Sequence, residues 1–152
     1  MKLKIKDQIP DIEIFHLLDD EPQTSKIRDI LGNGKVILFG LPGAFTSTCS
    51  KLHLPGYVGN ADKIKSKGIE KIFCLSVNDP FVMNAWGEAN NTGGKIKMLS
   101  DPYLLFTKAI GAEVDRNSKG MGIQNLEVVN IQVENETKQC GLSSAEGVLN
   151  LL

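Results

Sequence analysis

Two short apolar runs stand out from an otherwise mixed pattern. Lys35 to Leu41 (KVILFGL) is bounded by Gly34 and Pro42-Gly43, and Lys71 to Val77 (KIFCLSV) by Gly68 and Asn78-Asp79-Pro80. Runs of this length without polar alternation predict central strands covered on both faces. Between them, Ser47 to Ser66 is rich in helix-compatible residues, and Pro55-Gly56 is expected to kink or interrupt that helix. Asp79 to Asn90 predicts a helix with Asp79 as its cap and Pro80 in its first turn. Asp101-Pro102 is expected to open another in the same way, with Leu104, Leu105 and Ile110 on one face. Leu126 to Val133 alternates as a strand does. Ser143-Ser144-Ala145-Glu146, followed by Val148 and Leu149, reads as a capping box opening a terminal helix. Alternating strands and helices predict an α/β layered fold with a mostly parallel core. No repeat, low-complexity tract or linker breaks the chain, so residues 1–152 read as a single domain.

Charge narrows the range of partners. Seventeen Lys and Arg face eighteen Asp and Glu, a formal net charge of −1 with no block of like sign. Such a balance gives no long-range attraction to nucleic acid or to an anionic membrane. The basic start Met1 to Lys6 meets Asp7 and Pro10 where a signal peptide needs its apolar core. The longest apolar run, about Val36 to Phe39, is far below membrane-spanning length. A soluble, intracellular, cytoplasmic protein is expected. Its three cysteines, Cys49, Cys74 and Cys140, form no CxxC and no zinc-type cluster, so neither a metal site nor a cofactor is expected. Their odd number argues against a secreted disulfide framework and leaves at least one thiol free.

The stretch that could carry chemistry is Leu41-Pro42-Gly43-Ala44-Phe45-Thr46-Ser47-Thr48-Cys49. It follows a predicted buried strand and enters a helix, which puts Cys49 in a first helical turn. A thiolate there faces unpaired backbone N–H groups and the positive end of the helix dipole, both of which favour the nucleophilic form. The ends of strands are also where open α/β sheets place their sites. Thr46, three residues earlier, can aim its hydroxyl into the same space, and Pro42 stiffens the wall. From the residues alone, a small buried core cysteine remains an equal reading.

PGAFTSTCSKLHLPGYV (Pro42 to Val58) resembles the peroxidatic loop of the peroxiredoxins, with its PxxxTxxC motif, and LHLPGYV is similar to the type II, peroxiredoxin-5-like branch. The likeness continues through Leu75 to Met83, at Ala85-Trp86 and at Ser143 to Glu146. It implies a thioredoxin-like fold, a mixed central sheet with helices on both faces. It also implies a thiol-dependent peroxidase in which Cys49 attacks hydrogen peroxide or an alkyl hydroperoxide and becomes a sulfenic acid. Thr46 and Pro42 fall on the family's catalytic Thr and Pro. The backbone of Ala44 to Cys49 would supply further donors to the peroxide.

The chain departs from the family in one respect. The resemblance calls for a catalytic Arg after a Gly-containing turn, in a pattern like G-x-R-S-x-R followed by an aromatic. Lys119-Gly120-Met121-Gly122-Ile123 looks like that turn, but Gln124, Asn125, Leu126 and Glu127 follow. Arg116 precedes the turn and does not match. Asn125 to Val133 resembles the next strand of the family, so much of one strand is expected to be absent. An impaired enzyme, or a thioredoxin-fold redox sensor or binding protein, is therefore the alternative. A disulfide reductase is disfavoured by the missing CxxC.

Cys74, inside KIFCLSV, reads as a buried strand residue, although some type II members carry a second Cys there. Cys140 lies in a polar stretch before the terminal helix and is the other candidate redox partner of Cys49. His53, four residues after Cys49, would share its helical face if the helix is unbroken. The resemblance implies a homodimer formed through loops around the site, with Phe45 and the Asp79 to Met83 turn as contacts. Glutathione with glutaredoxin, or thioredoxin, is the implied reductant.

Overall fold

The computed structural model describes residues 7–125, 129–133, 138–141 and 145–149. Both apolar runs form adjacent parallel strands, β3 (Val36–Gly40) and β4 (Lys71–Ser76), paired from Val36 opposite Lys71 to Gly40 opposite Leu75. Around them is a seven-stranded sheet in the order β2-β1-β5-β4-β3-β8-β9. Here β1 is Glu13–Leu18, β2 Glu21–Lys26, β5 Lys97–Ser100, β8 Val129–Val133 and β9 Lys138–Gly141. Only β3, β4 and β5 run parallel to one another; β1–β2, β1–β5, β3–β8 and β8–β9 are antiparallel. The sheet is mixed, and a separate antiparallel pair, β6 (Glu113–Asp115) and β7 (Ile123–Asn125), lies outside it.

Alternation along β3 explains the layering. Ile37 and Phe39 enter one buried cluster with Leu54, Tyr57, Ile64 and Trp86, whereas Val36 and Leu38 enter another with Ile27, Leu31, Phe73 and Phe106. The first face is covered by α2 (Leu54–Ser66), α3 (Pro80–Ala89) and α5 (Ala145–Leu149), the second by α1 (Ile27–Leu31) and α4 (Leu105–Ala109). Among the described residues, no helix is long and apolar enough to cross a membrane.

Several sequence expectations hold in detail. Asp79 caps α3, its carboxylate accepting from the Val82 N–H at 3.0 Å, with Pro80 in the first turn. Others are corrected. Pro55-Gly56 does not interrupt the helix, because Pro55 sits in the first turn of α2, where its missing N–H costs nothing. The irregularity falls one turn earlier, as a π-helical turn over Cys49–His53. Helix α4 starts at Leu105 rather than at Pro102, after Leu104 adopts a left-handed φ of 59°. Leu105 is exposed, while Phe106, Thr107 and Ile110 are buried. The strand read over Asn125 to Val133 appears as β8, paired with β3, and the polar stretch around Cys140 forms the outer strand β9. Residues 126–128 of the strand reading, and Ser143-Ser144 of the capping box, lie outside the described residues.

Asp101 ties α4 to the body of the protein. Only 2% exposed, its carboxylate accepts from the Thr107 N–H at 2.8 Å and hydroxyl at 2.6 Å, and from the Phe106 N–H at 3.3 Å. The Thr107 hydroxyl also contacts Asn125 Oδ1 on β7. Burial pushes the Asp101 carboxyl above its ordinary 3.8, while the hydrogen bonds from Thr107 and Phe106 pull the other way. The folded state therefore keeps this proton to higher pH than the unfolded chain does. The stability it contributes is complete below the ordinary value and is lost as pH rises through the raised one. Urea titrations should show wild type losing stability relative to Asp101→Asn as pH rises from below 3.8 to neutrality. A difference that does not change with pH would contradict this.

Candidate active site

The loop from Leu41 to Thr48 lies beyond the C-terminal end of β3, and hydrogen bonds to the neighbouring strand ends fix it there. The Leu41 N–H donates to Leu75 O at 3.1 Å, continuing the β3–β4 ladder by one residue. The Ala44 N–H donates to Asn78 Oδ1 at 2.8 Å, and the Ser76 hydroxyl donates to the same oxygen at 2.9 Å. Ser100, at the end of β5, donates its hydroxyl to Asn78 O. Asn78 thus joins the ends of β4 and β5 to the loop after β3. Phe45 sits at the tip with φ 60°, its ring 60% exposed. The chain then turns into a helix, the Ser50 N–H donating to Thr46 O at 2.9 Å.

Cys49 opens the π-helical turn, and its carbonyl accepts from the Leu54 N–H five residues on. Single π turns inside helices recur at functional sites. The thiol is only 2% exposed, packed in the cluster with Phe39, Leu54 and Trp86, so an oxidant must be small to reach it. Burial and a place beside the catalytic threonine, weighed as alternatives from the residues alone, occur together. Thr46 donates its hydroxyl to Gly43 O at 2.8 Å, closing the loop on itself and leaving the Thr oxygen free to accept. Pro42 is buried between these turns. The Ala44 N–H, expected as a donor to the peroxide, is already engaged by Asn78. Trp86 of α3 donates its indole N–H to Ser50 Oγ at 2.9 Å, which holds the π turn against the core.

The remaining candidates separate clearly. Cys74 is fully buried on β4, opposite Phe39 in register, and belongs to the same apolar cluster as Cys49. Burial pushes its thiol well up, and proximity to Cys49 adds to the shift, so Cys74 stays protonated and inert. Cys140 faces Ile131 across β8–β9, and Ile131 in turn faces Leu38 of β3. Its backbone is thus two strands away from β3 in the sheet. The Cys140 side chain lies outside the described residues. His53 closes the π turn that Cys49 opens, and its half-buried ring has an Nδ1 without a hydrogen bond.

The two arginines of the chain are Arg28 and Arg116. Arg28 donates to Ile9 O at 2.6 and 2.9 Å and to Gln8 Oε1 at 3.3 Å. Arg116 follows β6, its backbone N–H donating to Gly122 O at 2.8 Å across the turn. Sequence reasoning missed Asn78 and Gln124 as parts of this site. Gln124, on β7, brings Nε2 to 3.8 Å from where a side chain at Gly43 would begin. Among the described residues, no group of three or more His, Cys, Asp or Glu is arranged to hold a metal ion.

A buried cysteine beyond a central strand, with a threonine one turn before it, on a mixed sheet layered by helices, defines a thiol site on a thioredoxin-like fold. The comparisons agree. Residues 4–149 match the Redoxin family model. Peroxiredoxin-2D of Arabidopsis thaliana is 42% identical over 160 aligned positions, covering 99% of this chain and 98% of its own. Reduced Prx3 of Vibrio vulnificus, solved in complex with hydrogen peroxide, superposes with a TM-score of 0.89 at 35% identity over 98% of both chains. Peroxiredoxin 5 of Alvinella pompejana superposes with a TM-score of 0.87 at 30% identity, covering 97% of this chain and 96% of that one. The chain belongs to the peroxiredoxin family, within the redoxins, and is a thiol peroxidase. The Arabidopsis alignment spans 160 positions against 152 residues here, so at least eight of those positions have no counterpart in this chain.

Proposed function

We propose that this protein reduces hydrogen peroxide and small alkyl hydroperoxides through Cys49. The observation that supports it is the placement of Cys49 at the π turn, with Thr46 fixed one turn before it. The Cys49 thiolate attacks the terminal peroxide oxygen. An S–O bond forms as the O–O bond breaks, sulfur loses two electrons, and the leaving oxygen takes up a proton to become water or an alcohol. Cys49 is left as a sulfenic acid. Thr46 orients the peroxide, and Pro42 limits the water around the sulfur. Narrow access through a 2% exposed thiol favours hydrogen peroxide and compact hydroperoxides over bulky ones.

An external thiol restores Cys49. Burial disqualifies Cys74, and the sulfenic acid is reduced by glutathione with glutaredoxin, or by thioredoxin, in a reducing compartment such as the cytoplasm. Phe45 and Phe81, 60% and 55% exposed beside the site, suit the contact surface of a homodimer. A second reading, a slow peroxidase serving as a redox sensor, is favoured by the run Gln124-Asn125-Leu126-Glu127, which follows the Gly-containing turn where the resemblance calls for an arginine. Catalytic consumption of hydrogen peroxide, with glutathione and glutaredoxin in one assay and thioredoxin in another, tests the first reading. Turnover should occur in one cycle and vanish in Cys49→Ser. A single stoichiometric burst with neither cycle would favour the sensor.

A further inference from the structure

Gln124 is a buried polar residue that folding alone does not explain. It is 7% exposed, and its Oε1 is sealed from solvent without a hydrogen-bond partner. Native proteins rarely leave such an acceptor unsatisfied, and one that persists calls for a reason outside the fold. Its surroundings supply one. A side chain on Gly43 would meet Asn78 Oδ1 at 3.4 Å, Thr46 Cγ2 at 3.5 Å and Gln124 Nε2 at 3.8 Å. Side chains from two loops and from β7 therefore converge on the space above this glycine. Two of them already have roles in the loop, since Asn78 holds the Ala44 N–H and Thr46 closes onto Gly43 O.

The strand that carries Gln124 is anchored independently. Asn125, the next residue, points to the opposite face, where its amide reaches Leu75 O at 3.5 Å and its oxygen meets the Thr107 hydroxyl. That anchor fixes the direction of Gln124 without using any of its hydrogen-bonding capacity.

We propose that the Gln124 carboxamide is a substrate-binding group of the peroxidatic site, holding the hydroperoxide together with Thr46. A neutral hydroperoxide carries one O–H donor and two oxygen acceptors. A carboxamide offers both complements: Nε2 donates to the peroxide oxygen on which charge builds, and Oε1 accepts from the peroxide O–H. A guanidinium can only donate, so the amide fits a protonated peroxide in a way that an arginine does not. The carboxamide stands in a chain without the expected arginine, and it supplies part of the same stabilisation as a fixed, neutral dipole.

This inference rests on the peroxidase reading above, and the test separates the two. Gln124→Met keeps the length of the side chain and removes both hydrogen-bonding groups. The second-order rate of Cys49 with hydrogen peroxide should fall by about tenfold to 10²-fold, within the range seen for single positioned donors. Alkylation of Cys49 by iodoacetamide should change less than twofold, and thermal stability should hold or rise because an orphaned acceptor has gone. Gln124→Glu, which keeps an acceptor but adds a negative charge, should slow the peroxide reaction further at neutral pH. Equal peroxide rates for wild type and Gln124→Met overturn the inference and leave the peroxidase reading standing. Parallel losses with peroxide and iodoacetamide also overturn it, because they report a displaced loop. A wild-type Cys49 inert toward peroxide removes the peroxidase reading itself.

Discussion

Thr46→Val is expected to slow the reaction of Cys49 with hydrogen peroxide by about 10²-fold while leaving the fold intact. Valine keeps the branched shape and removes the only polar atom. In the resting site that atom donates to Gly43 O at 2.8 Å, so the variant leaves one half-buried carbonyl without its partner. A loss of that kind costs about 1 kcal/mol of stability, the usual net worth of one neutral hydrogen bond. The kinetic loss is larger because the hydroxyl acts where charge develops in a site with little water. Stopped-flow rates and urea titrations on the same preparation separate the two effects. An unchanged peroxide rate with a normal fold would make Thr46 a purely structural residue.

The second large effect concerns the missing arginine. Against a relative that carries it, this chain should react with hydrogen peroxide about 10²–10³-fold more slowly, the usual loss for one preorganised donor. Its reaction with iodoacetamide should be comparable, because alkylation draws on no donor placed for a peroxide oxygen. A misfolded or occluded Cys49 would be slow toward both reagents, so the pair of rates distinguishes a reactive thiol from a damaged one. Peroxide reduction at the relative's full speed would mean that another group, Arg116 or Lys119 included, fully replaces the arginine.

The parts of this molecule legible in the sequence are those whose causes are local. KVILFGL and KIFCLSV announce β3 and β4 because a strand covered on both faces needs apolar residues throughout, and the Asp79 cap is legible because its acceptor and donor lie three residues apart. The first hairpin was silent. Of EIFHLL only Ile14 is fully buried, and EPQTSK on the edge strand buries nothing, so neither shows the alternation of a half-buried strand. The start of α4 was misplaced because Asp101 accepts from Phe106 and Thr107 after an intervening turn, rather than capping the first residues after it.

The site follows the same division. PGAFTSTC carries the nucleophile and its threonine in eight consecutive residues, which the chain displays openly. Asn78 meets Ala44 across 34 positions, and Gln124 approaches Gly43 only because β7 is anchored through Asn125 to Leu75. No local periodicity encodes such meetings; the topology of the sheet makes them. The residues alone left the burial of Cys49 as one of two equal readings, since it depends on the cluster that Cys49 joins with Leu54, Tyr57 and Trp86.

Brief exposure to substoichiometric hydrogen peroxide at neutral pH, with a sulfenic-acid trap present and the label located by mass spectrometry, tests the assignment of Cys49 most directly. The label should appear first, and almost entirely, on Cys49, with Cys74 unlabelled until the protein is unfolded. Label arriving first on Cys74 or Cys140 would contradict it.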